Sequence, residues 1–478
     1  MARIGTSENP MVDQDSVTVA AAMAKDLFET PSRKQGVWWF QGNFWVWQAG
    51  KWVKRDWESM KMEVCRWLTG RWAMVNGVAT TVEKVTVSKH VCEEVLFAMK
   101  SAKEAWWTKA PVWTERKGPE GMDADYCVGF QDVVVCVRGG EERVVERDEG
   151  WFDTAVLPVR YERGAKCERW EEAVKQWGNG DERWGQLLKR WMGYMLVPHR
   201  EYRKMMLMEG VTAGGKGVIC EVVKALLGTG FFSTECETLA GEFSLGGIQH
   251  AKVCSITEMS RLDTAGGQKV SRVIKNLVGG DPITINEKFQ AQVRDVVCRA
   301  AVMMSSNQIP SLPNESQGLS AKMLVLPFTV SFDQKGAEYG LKGRLVREEL
   351  EGIAAWAMKG LLELEGDGQG EKWPEPEEAR DVVLKFKVMN NPMAAFLESR
   401  FIQKSGGWVA AKLVRAEWER FLKDNGVVCK VPMNQLLVRL EQEGGWTIKR
   451  GKRRDDQRKM PLMGIHGVAL KMNVEEWL

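Results

Sequence analysis

One stretch of this chain constrains its fold more than any other. Met205, Met206, Leu207 and Met208 form an apolar run that enters Gly210-Val-Thr-Ala-Gly-Gly-Lys-Gly217. Val218, Ile219, Val222, Val223, Leu226 and Leu227 then follow at helical spacing up to Gly228. Strand, glycine-rich loop and helix in that order predict a cradle for nucleotide phosphates. Glycines let successive backbone N–H groups turn inward, the helix N-terminus adds positive potential, and Lys216 brings a point charge to the outer phosphates. The candidate binding residues are therefore Gly210, Thr212, Ala213, Gly214, Gly215, Lys216, Gly217 and Val218. The pattern departs from expectation at one place. A Ser or Thr normally follows the lysine and ligates magnesium, but here Gly217 follows it, and then Val218. Magnesium then relies on water, the nucleotide and an acid elsewhere. A functionless glycine turn, or nucleotide binding with lost catalysis, are the alternatives.

Bulk properties narrow the class. At 478 residues, 44% hydrophobic and 27% charged, the chain can bury several cores. The 67 basic residues nearly balance 64 acidic ones, so any nucleic-acid contact must come from local patches. Ten scattered cysteines without a CxxC pair, beside four histidines, argue against zinc and against a disulfide framework, and for a reducing cytoplasm. No run of about 18 apolar residues occurs, and the first residues lack a basic segment followed by an apolar one, so neither membrane insertion nor secretion is expected. The 22 tryptophans are an excess; filling cores and interfaces is the ordinary reading, base stacking the sharper one.

Along the chain, Trp38 to Trp57 alternates aromatic and polar residues around two glycine turns, which predicts a small antiparallel sheet. The expected organisation is an α+β accessory domain over 1–167, a helical connector over 168–204, a nucleotide-binding α/β core over 205–364, a linker over 365–382 and a C-terminal domain over 383–478. The linker is the Gly-, Pro- and charge-rich run from Glu365 to Arg380.

Further segments fall into a familiar order. AKVCSITEMSRL is an apolar run ending at Thr257 and Glu258; KNLVGGDPITINEKFQAQ is a strand entered through a turn; RAAVMMSSNQIPSLP is an apolar run ending at Asn307; SAKMLVLPF carries Lys322. With the glycine loop, these make the chain resemble the phage and plasmid primase-helicase family related to the poxvirus primase-helicase, whose motor is a superfamily 3 AAA+ domain. The resemblance runs from about Val37 to the C-terminus. It implies an α/β fold with an AAA+ P-loop motor, an N-terminal α+β accessory domain and a C-terminal winged helix, without the primase domain often fused at the N-terminus.

The resemblance also implies roles. Glu258 becomes the general base and a magnesium ligand, Asn307 a sensor of the γ-phosphate and lytic water, and ATP with Mg2+ the ligands. Lys288 and Phe289 fall at the tip of a hairpin that follows single-stranded DNA. Lys322 stands where relatives carry an arginine finger, which weakens transition-state stabilisation; Arg294, Arg299 or Arg344 remain alternatives.

In the C-terminal region three helix-like segments precede a hairpin, as in a winged helix. Between Lys449 and Lys459 seven basic residues face two acidic ones, so Lys449, Arg450, Lys452, Arg453 and Arg454 are candidate phosphate contacts; a solvated loop is the alternative. The expected function is an ATP-dependent replicative DNA helicase of a phage or mobile element, working in the bacterial cytoplasm on single-stranded or forked DNA. It would form a homo-oligomeric ring, a hexamer by the resemblance, with a separate primase or polymerase. The competing reading is a nucleotide-binding origin-recognition or scaffold ring with weak or no ATPase.

Overall fold

The computed structural model describes residues 11, 15–30, 35–75, 78–115, 117–239, 241, 245–257, 264–285, 293–310, 318–333, 340–366, 371–426, 431–443, 446–454 and 461–471. The fold is mixed α/β, built around one five-stranded parallel sheet. In chain order the central elements are helices α1 (Glu168–Trp177) and α2 (Glu182–Leu196), strand β1 (Met205–Gly210), α3 (Lys216–Leu227), β2 (Phe231–Glu235), β3 (Val253–Thr257), α4 (Thr264–Gly279), β4 (Ala301–Ser306), β5 (Met323–Phe328), α5 (Leu341–Glu348), α6 (Leu350–Glu365) and α7 (Ala379–Asn390). The strands lie in the order β2-β3-β4-β1-β5.

Alternation along each strand sorts its side chains onto two faces. Met206 and Met208 of β1, with Ala301 and Met303 of β4, join the core formed with α1, α2, α3 and α6. Met205 and Leu207, with Val302 and Met304, join the core formed with α4 and α7. Both faces are covered, which explains why these strands read as near-continuous apolar runs.

Helices α1 and α2, expected as a connector, form a layer of this body. Trp170, Trp184 and Trp191 are buried in its larger core. The carboxylate of Glu349, between α5 and α6, accepts from the Arg169 and Trp170 amides at 3.1 and 2.9 Å and so closes the start of α1 across a long sequence separation. Glycines let α2 and α6 touch through their backbones. A side chain at Gly193 would stand 2.4 Å from the Leu361 nitrogen, and one at Gly360 would stand 2.1 Å from the Lys189 carbonyl oxygen.

The antiparallel sheet expected near Trp38 is present as Val37–Phe40, Asn43–Gln48 and Lys51–Arg55. Its outer helices Ser16–Phe28, Trp57–Leu68 and Lys89–Ala102 share a separate core. Trp45, Trp52 and Trp107 are buried with Phe40 and Phe152, so this aromatic cluster fills a core. His250 meets the cluster from just before β3, with its ring 5.6 Å from Trp45. A second small sheet, Cys127–Gly129, Val133–Arg138 and Glu141–Glu146, contributes Val128, Val135 and Val137 to the central core.

The C-terminal region holds helices Pro392–Arg400, Ala411–Asp424 and Met433–Gln442 and the strands Lys449–Arg453 and Leu462–Leu470. A third strand, Phe401–Ala410, pairs with Leu462–Leu470 and was not expected from sequence. Its pairing shifts between Gln403 and Trp408, where Gly406 sits at φ +73 and breaks the alternation that marks a strand. Nine cysteines within the described residues are free thiols, and no described helix is long and apolar enough to cross a membrane.

Gly360→Val drives a branched side chain into the Lys189 backbone and is expected to cost about 1–3 kcal/mol or more in urea unfolding. Burial pushes His250 from 6.5 down to about 4. Between those pH values the unfolded chain binds a proton that the folded chain refuses, so stability is lost as pH falls from 6.5 towards 4, by up to about 3 kcal/mol. His250→Phe should flatten that part of the stability-versus-pH curve; an unchanged slope contradicts the assignment.

Candidate functional site

In parallel α/β sheets, ligands sit beyond the carboxyl ends of the strands where the chain reverses its lateral direction. Here the chain leaves interior strand β1 through α3, reaches edge strand β2, returns through β3 and β4, and ends at β5 on the other side of β1. The loop from Gly210 to Lys216 lies at that position.

Backbone geometry explains its glycines. Gly210 has φ +136, and any side chain there would lie 2.1 Å from the Phe328 carbonyl oxygen at the end of β5. The same carbonyl accepts from the Val211 amide at 2.9 Å. Gly215 has φ +110, and a side chain would strike the Trp177 indole, whose Nε1 lies 2.4 Å from the added carbon. Downstream, the Ser331 hydroxyl donates to Thr212 O at 3.0 Å and the Phe332 amide to Ala213 O at 3.2 Å. The loop is thus held from β5 and from α1, two elements far apart in sequence.

Lys216 opens α3 and is 93% buried, its relative exposure being 7%. Its ammonium donates to the carbonyls of Gly210 and Val211 at 2.8 and 2.6 Å. Burial lowers its pKa, with Glu209 acting in the opposite direction. Burial likewise raises the Glu209 carboxyl, against the pull of Lys385 and Lys216. At the start of α3 the Val218 and Ile219 amides donate to the Gly215 carbonyl at 2.9 and 3.2 Å, while the amides of Lys216 and Gly217 precede the first helical acceptor.

Two cavities flank the loop. One, of about 540 Å³, is polar: Thr212 to Gly217 on one wall, Thr257 from β3 and Ser305 to Gln308 from β4 on the other. The other, of about 780 Å³, lies against α1 and α5 and mixes apolar lining from Trp177, Val218, Phe332 and Leu341 with charged and polar lining from Glu168, Arg169, Glu172, Gln176, Glu221 and Lys342. Asn307 is exposed at the end of β4, in a turn shaped by Ser306, whose hydroxyl donates to Gln308 O at 2.5 Å and accepts from its amide at 3.2 Å.

The sequence-predicted residues divide as follows. Thr212 to Gly217 and Asn307 share the polar cavity, Gly210 shapes the turn behind it, and Val218 lines the other cavity. Glu258 follows Thr257 directly but lies outside the described residues, as do Lys288 and Phe289. The hairpin carrying those two is present in its flanks, Pro282–Ile285 paired antiparallel with Val293–Val297. Lys322 precedes β5, at the end of the sheet away from the loop, and lines neither cavity. Of the alternatives, Arg299 is engaged with Asp125 at 2.8 Å. Lys449, Arg450, Lys452 and Arg453 are exposed on one strand and Arg454 follows it. Arg450 is tied to Glu441, and Arg453 lies 5.9 Å over the Trp408 ring. Strand alternation puts Lys449 and Arg453 on one face and Arg450 and Lys452 on the other.

Trp177, Phe332 and Leu341 escaped the sequence reading because only tertiary contact brings them to the loop. Thr257 and Ser305 did have a signal, as hydroxyls ending apolar runs. Among the described residues no group of three or more His, Cys, Asp or Glu side chains is placed to hold a metal.

The family described as "family of unknown function (DUF5906)" matches residues 208–319, which hold the loop, β3 and β4. No protein with a curated description matches. Among solved structures, the apo A form of the NrS-1 C-terminal region is similar at TM-score 0.51 and 12% identity, covering 95% of this chain and 100% of that one. Two further apo structures of that region give TM-scores of 0.49 at 12% and 11% identity, with 90% of this chain and 96% and 95% of theirs covered. The similarity is one of fold.

Gly210→Ala should cost about 1–3 kcal/mol in urea melts, because strain at positive φ adds to collision with Phe328. Gly217 is helical and a side chain there meets nothing within 4 Å. Gly217→Ala should therefore stabilise by about 0.4–1 kcal/mol, and equal losses at both positions would contradict this geometry.

Proposed function

We propose that the chain is the ATP-hydrolysing subunit of a superfamily 3-like ring that moves on single-stranded or forked DNA. The observation that carries this reading is the convergence of the loop ending at Lys216 with the carboxyl ends of β3 and β4 on one polar cavity. In this reading the phosphates lie along Gly214 to Lys216 at the start of α3, where the unpaired amides and the helix dipole favour negative charge. Lys216 leaves the carbonyls of Gly210 and Val211 for the outer phosphates. The base enters the neighbouring cavity against Trp177, Phe332 and Leu341. Asn307 orients the attacking water, and Glu258, next to Thr257, accepts its proton. Magnesium, when bound, offsets the charge that builds on the transferring phosphoryl oxygens.

Lys322, remote from its own loop, suits a role in the site of an adjacent copy, giving a homo-oligomeric ring with six subunits by the family resemblance. Lys288 and Phe289, together with the basic strand of a C-terminal winged helix, contact DNA in the same reading. A second reading, a nucleotide-binding scaffold or origin-recognition ring, is favoured by Gly217 and by a lysine in place of the arginine finger.

Purified full chain should bind ATP and hydrolyse it faster with single-stranded DNA. Lys216→Ala should weaken binding at least about tenfold, a loss of about 1.4 kcal/mol, while Glu258→Gln keeps binding and stops turnover. Binding without DNA-stimulated turnover would select the scaffold reading; no nucleotide binding would dismiss both. Mixing Lys216→Ala with Lys322→Ala chains should restore part of the turnover, because a mixed ring pairs an intact loop with an intact lysine from its neighbour.

A further inference from the structure

A magnesium-dependent phosphate site usually draws a hydroxyl from the residue after the loop lysine, and Gly217 has none to offer. The space is not taken by another group, since a side chain at position 217 meets no atom within 4 Å. The polar cavity nevertheless holds hydroxyls from its opposite wall. Thr257 ends β3, and Ser305 is its register partner on β4. Val253 on β3 and Ala301 and Met303 on β4 face the core shared with α3, while Cys254, Ile256, Val302 and Met304 face the opposite core. Alternation therefore puts Thr257 and Ser305 on the α3 side, towards Lys216 and Gly217. Ser306 faces the other way, and its hydroxyl is already taken up by Gln308.

The donor chemistry fits a hard cation. Magnesium prefers oxygen, gives up its waters reluctantly and is commonly held by few protein groups together with substrate phosphates. The facing wall is also suited to those phosphates, because the positive φ of Gly210 and Gly215 lets the loop backbone turn its amides toward the start of the helix.

We propose that Thr257 and Ser305 together position the hydrated magnesium ion of the bound nucleotide, replacing the hydroxyl that Gly217 lacks. The inference rests on the nucleotide-site reading above. Both are positioning residues: their hydroxyl oxygens would accept hydrogen bonds from the metal-bound waters on the strand side of the cavity. Thr257 stands directly before Glu258 in the chain, so adjacent residues would serve the metal's water shell and the proton acceptor.

The test is equilibrium binding of a fluorescent ADP analogue to the full chain, with Mg2+ and with EDTA. Wild type should bind more tightly with Mg2+ by about tenfold. The Thr257→Val/Ser305→Ala pair should bring that ratio to within about twofold while leaving the EDTA affinity unchanged, and Thr257→Ser should keep it near wild type. Adding Gly217→Ser to the pair should restore most of the Mg2+ effect from the helix side. A pair that keeps the full Mg2+ effect overturns the proposal, as does one that loses EDTA affinity equally, which marks a merely structural role. Wild type that binds in EDTA but ignores Mg2+ overturns this inference and leaves nucleotide binding intact. Wild type that binds in neither condition overturns both.

Discussion

The contact between the backbone of Gly210 and the carbonyl of Phe328 is the constraint from which the rest of the site follows. It sets the end of β1 against edge strand β5 so closely that no side chain fits between them. The chain must then turn away through backbone angles open to glycine, and that turn aims the start of α3 across the end of the sheet. Lys216 follows as a consequence of this geometry. Its ammonium, taken out of bulk water, is held by the carbonyls of the loop it closes. A cation whose direct hydrogen bonds go to neutral carbonyls is readily drawn to a stronger anionic partner.

Polar and apolar functions are separated by the loop itself. On the strand side, β3 and β4 end in hydroxyls and amides because their apolar alternation stops where the sheet meets solvent. On the helix side, α1 brings Trp177 against Gly215, and the segment after β5 brings Phe332 beside it. The same loop therefore offers charge complementarity on one flank and a surface for a flat apolar ring on the other.

The parts of this arrangement that the sequence made legible are those whose signal is local. Met205 to Leu227 contains strand, loop and helix in one run, and Val302 to Asn307 carries its own apolar period and polar stop. The hairpin flanks at Ile283 and Val296 also announce themselves by alternation. Trp177 and Leu341 do not, since each sits in an ordinary amphipathic helix and reaches the loop only through the tertiary fold. Strand Phe401–Ala410 was hidden by charge and by two adjacent glycines, which dilute the apolar alternation on which strand recognition depends. The helices at 168–196 looked like a spacer because their tryptophans are spaced for burial, and spacing alone does not say against what.

Glu349 gives that last point a temporal side. It closes the first turn of α1 from a position after the whole parallel sheet, and Gly193 meets its partner Leu361 later still. A chain emerging from the ribosome can form α1 and α2 early, but both must wait for the sheet and for α6 before their apolar faces are covered. The central body is therefore assembled by long-range closure, a topology that slows folding and leaves two tryptophan-rich helices uncovered until synthesis has passed Glu365.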